Sequence, residues 1–203
     1  MITATGDRYI TSHGSYPRVS RILWPARSKA FGGINPTTMQ AAAARGTAVH
    51  AALEYLNRGC LDTDSLHPLI VPYVASYSAW QAILLPVTVG TEQTYVSERH
   101  KYGGRSDWLC RLAGKYKGLW IVDIKSGMEN PADRLQTAAY WALYQENEKP
   151  KGTVLRAALY VHRDGSPAKF VPHTDPSDLA VFLSYRTIYG WEEAAYGNGN
   201  QGG

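Results

Sequence analysis

The spacing of apolar and polar residues changes period along the chain, and each change marks an element. Leu119-Trp-Ile-Val-Asp-Ile-Lys-Ser126 is apolar at five of its first six positions, three of them β-branched. Such a run predicts a strand buried on both faces. Upstream, Gln93–His100 and Arg105–Leu112 alternate like strands, joined by the turn Lys101-Tyr-Gly-Gly104. A second turn, Ala113–Gly118, leads into the buried strand, so the three form an antiparallel meander. Val154–His162 predicts a fourth strand and Lys169–Val171 a fifth.

Helical spacing fills the rest. Asn35-Pro36 is a capping residue followed by proline at the first helical position, and the helix it opens is predicted to run to Arg58 and stop at Gly59. Val49, Leu53 and Leu56 form its core stripe, while Gly46, His50 and Glu54 fall at four-residue steps on a neighbouring face. Further helices are predicted over 68–85, 132–146 and 175–195. Tyr73, Tyr77 and Trp80 recur at helical spacing and read as packing ahead of base stacking. Ser20 is expected to cap a short helix, Ala26–Ile34 to form a loop around Gly32-Gly33, and the first ten residues to fray. The glycine-rich end, 197–203, has nothing to bury and is expected to be disordered. The element order predicts one α/β domain over residues 1–196.

Composition narrows the class only slightly. The chain has 203 residues, 44% hydrophobic and 19% charged, as an ordinary globular protein does. The net charge of +4 is concentrated at the front, where residues 1–60 hold seven Lys/Arg against Asp7 and Glu54. A polyanion partner is thereby permitted, without being required. Two cysteines without short spacing argue against a disulfide framework, a zinc knuckle or an iron–sulfur cluster. No leader pattern opens the chain, and the apolar run 66–89 is too broken by prolines and polar residues for a membrane span. A reducing, cytoplasmic setting is expected.

The candidate chemistry sits at the end of the buried strand. Asp123 and Lys125 are two apart and point the same way. One reading is an ion pair at the edge of the sheet; the other is a metal site in which Asp123 holds a hard cation and Lys125 attends its water. Adjacent hairpin strands bring Asp107 toward Asp123, and two carboxylates so placed repel and raise each other's proton affinity unless a cation lies between them. On that basis Asp107→Asn is expected to weaken metal binding and to raise thermal stability. Glu98, on the first strand of the meander, is a candidate to join them. Glycine at position 46 costs about 1 kcal/mol against alanine in a helix, which predicts a close neighbour there.

Taken together, Gly46-x3-His50-x2-Leu53-Glu54, Gly104-Arg-Ser-Asp107, Asp123-Ile-Lys125 and Gln136-x3-Tyr140, in this order, resemble the PD-(D/E)XK nuclease superfamily, specifically its RecB-like exonuclease branch. Tyr16-Pro-Arg-Val-Ser-Arg-Ile-Leu is similar to the opening of the mitochondrial genome maintenance exonucleases and their phage relatives, with Arg18 where that pattern has serine. The resemblance implies a restriction-endonuclease-like αβββαβ core, a central mixed sheet flanked by helices, with extra N-terminal helices. It implies that His50, Asp107, Asp123 and the backbone carbonyl of Ile124 ligate Mg²⁺ or Mn²⁺, without an iron–sulfur cluster. Asp107, Asp123 and Lys125 would be the catalytic set, and Gln136 and Tyr140 would hold Lys125 or the DNA backbone. Arg18, Arg21 and Arg45 are candidate phosphate contacts, and Glu54 or Glu98 candidate supports for a second ion. The implied activity is metal-dependent exonuclease action on single-stranded or processed DNA ends in recombination, repair or phage DNA metabolism. Replication or recombination proteins are the implied partners, in a bacterial or phage-infected cell. A non-cleaving module that binds DNA ends and a site-specific endonuclease of the same fold are the alternatives. Polarity, strandedness and oligomeric state are left open.

Overall fold

A strand is fixed by what lies on each face, and here the two faces of one sheet meet two different cores. The computed structural model describes residues 1–29, 33 and 35–196. The tail expected to be disordered and residues 30–32 and 34 of the loop expected over Ala26–Ile34 lie outside them, and the start of that loop is instead the end of a helix, Trp24–Ser28.

The chain opens with a small antiparallel sheet, β1 (Thr3–Thr5), β2 (Arg8–Thr11) and β3 (Gly14–Pro17). The first residues are therefore paired and not frayed. The sheet is anchored by Tyr9 and Tyr16, both buried, on Val96. Two short helices follow, α1 (Val19–Ile22) and α2 (Trp24–Ser28). Ser20 lies inside α1, whose N-cap position is Arg18 and carries no side-chain cap.

Helix α3 (Pro36–Asn57) begins as its sequence predicts, with the Asn35 side chain accepting from the Thr37 amide at 2.8 Å. Only its second half is buried, through Val49, Ala52 and Leu53. Helix α4 (Val71–Leu84) places Tyr73, Tyr77 and Trp80 in the core. It ends earlier than predicted, because Leu85 turns left-handed and the β-branched alternation from Val87 starts a strand.

That strand is β4 (Val87–Ser97), followed by β5 (Tyr102–Leu112), β6 (Gly118–Lys125), α5 (Ala132–Glu148), β7 (Val154–Tyr160), β8 (Lys169–Pro172) and α6 (Asp178–Tyr196). The sheet order is β4-β5-β6-β7-β8, antiparallel except for β6 and β7, which α5 joins in parallel. The fold is α/β: a five-stranded mixed sheet flanked by helices, with a separate three-stranded sheet. On one face Trp108, Cys110, Val122 and Ile124 pack on α3 and α4. On the other, Leu109 and Ile121 pack on α1, α5 and α6. Trp108 is fully buried between Tyr77 and Trp80, at centroid distances of 5.6 and 5.9 Å. Gly103 and Gly104 fall inside β5 and not in the turn. A Cβ on Gly103 would lie 2.6 Å from the Tyr9 ring, and one on Gly104 2.7 Å from the Tyr140 ring. No helix among the described residues is long and apolar enough to cross a membrane.

Candidate metal centre

Strands β5 and β6 pair from Leu112↔Gly118 to Trp108↔Val122, and the pairing stops one residue short of Asp107 and Asp123. Beyond that point the Asp107 side chain replaces the ladder: its Oδ2 accepts from the Ile124 amide at 2.7 Å. In a strand, the N–H and C=O of one residue face the same side. The Ile124 carbonyl therefore faces the gap into which Asp107 projects. Lys125 faces the other neighbour, its carbonyl accepting from the Val161 amide at 2.8 Å.

The end of β6 holds a tightly bonded set. Lys125 Nζ lies 2.6 Å from Asp123 Oδ2 and donates to Gln136 Oε1 at 2.9 Å. Gln136 Nε2 donates to Tyr140 OH at 2.7 Å and to Asp123 Oδ1 at 3.3 Å. Both ends of the amide are thus used, and Gln136 fixes the ammonium and the carboxylate together. Arg27 adds a second donor to Gln136 Oε1 and reaches Asp133 at 2.5 Å. Asp133, buried beneath Lys125 at 3.8 Å, also accepts from Tyr160 OH at 2.8 Å. Sequence reasoning missed Arg27 and Asp133; the one signal was an acidic residue in the first turn of α5, which also reads as an ordinary helix-dipole partner.

Across the gap, His50 Nδ1 of α3 lies 3.4 Å from Asp107 Oδ1. The two carboxylates behave differently. Burial pushes Asp107 up, but His50, Lys125 and the Ile124 amide outweigh it and hold the group below the usual range. Burial raises Asp123, Lys125 opposes this, and the nearby Asp107 charge adds to it. Repulsion therefore loads one acid, whereas the sequence led to an expectation of both, because only Asp107 has the imidazole. The Asp107 carboxylate in turn pulls the His50 pKa up against the effect of burial.

A further acid stands beside this pair. Glu92 lies between Thr91 and Gln93, whose partners are Trp108 and Ser106, so it faces Asp107 across the β4–β5 ladder. His50, Glu92 and Asp107 offer ligand atoms that all lie within 4.8 Å of one another. Burial, then the Asp107 charge, push Glu92 up to about 7, while Arg105, 2.5 Å away, opposes them. Glu92 was invisible in the sequence because its backbone is left-handed (φ 52°) just past a bulge at Thr88/Gly90, so simple alternation does not place its side chain.

The remaining expected residues divide. Arg18 and Arg105 line a recess of about 150 Å³ with Asp107 and Tyr140, and Arg18 stacks over the Tyr9 ring at 4.9 Å. Glu54 shares a groove with His50 and Glu92, while pairing with Arg58 at 2.7 Å. Arg45 is half-buried on α3, with its Nε lacking a hydrogen-bond partner among the described residues. Arg21 pairs with Asp7 at 3.2 Å on the surface. Glu98 is not at the site. It lies in the turn just past β4, which ends at Ser97, and accepts from Tyr16 OH and Lys101; the six residues from Glu92 span roughly 20 Å of extended chain. The neighbour expected at Gly46 is Ser126, at an ordinary contact of 3.5 Å from a built Cβ, so the helix does not need glycine there for internal packing.

Three openings border the site: the Arg18 recess, which Asp107 lines, a cleft of about 220 Å³ lined by Arg27, His50, Lys125, Asp133 and the loop 126–130, and the α3 groove of about 350 Å³, which Glu92 lines; Asp123 is buried behind them. No family model matches the chain, and no curated protein matches it. Among solved structures, the crystal structure of SSO0001 is similar at 14% identity and a TM-score of 0.44, covering 86% of this chain and 75% of that one. A likeness of that degree decides neither the fold family nor the activity.

Proposed function

We propose that the chain is a metal-dependent DNA exonuclease of the PD-(D/E)XK type, with a restriction-endonuclease-like core. The observation that supports the reading best is the meeting of Asp107, Asp123, Lys125 and His50 where β5 and β6 part. The donor types suit a hard divalent cation such as Mg²⁺ or Mn²⁺: two carboxylates, one carbonyl facing the gap and one imidazole, of which His50 and Asp107 already converge, together with Glu92. His50, Asp107, Asp123 and the Ile124 carbonyl would hold it. The ion would supply Lewis-acid activation of a phosphodiester and of its attacking water.

The chain's own residues supply the rest. The raised proton affinity of Asp123 is what a buried carboxylate shows before a cation neutralises it. Lys125 carries a positive charge beside Asp123, and Gln136 and Asp133 keep it from swinging away. An ammonium so held stabilises charge growing on a phosphoryl oxygen. Arg18, Arg105 and Arg27 put cations at the mouths of two openings, as a polyanionic strand requires.

The test is incubation with end-labelled single- and double-stranded DNA in Mg²⁺, Mn²⁺ or EDTA. Metal-dependent shortening from an end supports the proposal. Binding without cleavage would replace it with an end-binding module, and one discrete internal cut with a site-specific endonuclease.

A further inference from the structure

We propose that the outer face of α6 is the contact through which two copies of this chain pair, antiparallel, about a twofold axis at Ile188. The pairing is independent of the nuclease reading, because no residue of α6 lines the three openings at the metal centre.

A helix laid on the surface of a domain carries its charges on the side away from the core. Helix α6 does not. Leu179, Phe182, Leu183 and Tyr189 pack it on the sheet and fix its inner side. From Leu179 to Trp191 the one charged residue is Arg186, and that side chain donates to the Lys101 carbonyl at 2.7 Å. Glu193, a turn further on, pairs with Arg8 of β2. Solvent instead meets Val181, Ser184, Ile188, Trp191 and Ala195, with Val181 42%, Ile188 53% and Trp191 61% exposed. These five are spaced alternately by three and four residues, so they form one seam along roughly 21 Å of helix. Such a seam is what one helix presents to another.

The occupant follows from the symmetry of the seam itself. Antiparallel pairing about Ile188 brings Val181 to Ala195 and Tyr185 to Trp191. The small Ser184 lies beside the same indole, so a bulky side chain meets a gap. Glu192, the only charged residue of α6 on that side, falls opposite Ser184. A parallel pair would stack Trp191 on Trp191 and set Glu192 against Glu192. Val181 and Tyr185 also wall a groove of about 580 Å³ between α6, α2 and the start of α5, with Ala26 and Leu135 in its lining. The antiparallel register carries Trp191 of the second copy to the lip of that groove, which extends the contact beyond the two helices. No lysine or arginine stands on the seam to meet the phosphates of a nucleic acid or an anionic lipid surface. A helix pair is at the small end of specific interfaces, so the dimer is reversible.

Sedimentation velocity of the full chain over roughly 1–200 µM, where so small an interface dissociates, tests the pairing. The mass is expected to climb from one chain to two. Ile188→Glu should stay monomeric throughout, because it sets two carboxylates against each other on the axis, and Ile188→Lys should do the same. Mixed in equal amounts, these two variants should dimerise again, a rescue that only contact of position 188 with its own copy allows. Trp191→Ala should weaken the dimer about tenfold or more. Both positions are exposed, so circular dichroism should not change. A native chain that remains monomeric, a dimer indifferent to Ile188→Glu, or a mixture without the heterodimer each overturns the proposal. So does flotation of the native chain on anionic phospholipid vesicles that Ile188→Glu abolishes, which would make the seam a lipid contact.

Discussion

The two ends of the β5–β6 pair are built on opposite terms. From Leu112↔Gly118 to Trp108↔Val122 the ladder is complete and, apart from the exposed Arg111, its side chains face the cores, with Trp108 and Val122 fully buried. One residue further on, hydrogen bonds between backbones give way to a carboxylate on an amide, and the side chains become Asp107, Asp123 and Lys125. The closed end draws its stability from area and packing. The open end spends some of that stability to hold charge out of water, and Gln136, Lys125 and Asp133 keep it ordered by bonding to one another and to Asp123.

The sharpest way to break the contrast is at the open end. Lys125→Ala and Asp123→Asn should each lower metal-dependent DNA cleavage about 10³-fold or more, roughly 4 kcal/mol of transition-state stabilisation, with circular dichroism unchanged. At the closed end Trp108→Ala should cost about 3–5 kcal/mol of stability in denaturant titration, since it empties the space between Tyr77 and Trp80. The two acids should then separate. Asp107→Asn should lower stability by about 1–2 kcal/mol, because it removes the partner of His50 and weakens the acceptor of the Ile124 amide. That reverses the expectation of relieved repulsion.

Asp123→Asn should do the opposite in the metal-free protein. A carboxyl whose folded pKa is raised destabilises the fold progressively as pH rises through that value and has no such effect below the unfolded pKa. Its gain in melting temperature should thus be larger at pH 8 than at pH 4.

The smallest effect lies away from both ends. Burial, then the Arg156 charge, depress His173 to about 4. The unfolded chain binds this proton near the ordinary histidine value and the folded chain does not, so stability falls as pH drops from about 6.5 to 4. His173→Gln should flatten that part of the pH–stability curve.

Most of the frame was legible because it depends on period. The meander, the Asn35-Pro36 helix start and the α5 crossover follow from runs that have one sensible burial pattern. What escaped depends on events between elements. The opening residues pair because Tyr9 and Tyr16 find a platform on Val96, and Val96 is eighty residues away in sequence. Gly103 and Gly104 read as a turn, but they are strand positions with two tyrosine rings against them. At the site, Asp107, Asp123 and Lys125 were readable from spacing along their own strands, whereas Gln136 and Tyr140 came only from the resemblance, since spacing put them no further than on one helix face. Glu92 was hidden by a bulge and a left-handed residue, and Asp133 and Arg27 by a pairing that joins α2 to α5. Glu98 was placed on a strand expected to run to His100, whereas β4 ends at Ser97 and leaves it in the turn, bonded to Tyr16.

Helix α3 carries a last consequence. Val49, Ala52 and Leu53 bolt its second half to the core, while the turns from Pro36 to Ala44 have no buried side chain. The helix is a cantilever, and His50 sits just past the point where its support begins. Amide exchange along it should therefore form a gradient, fast near Gln40 and slow at Leu53. Any load placed on the imidazole should move the root of that gradient toward the free end.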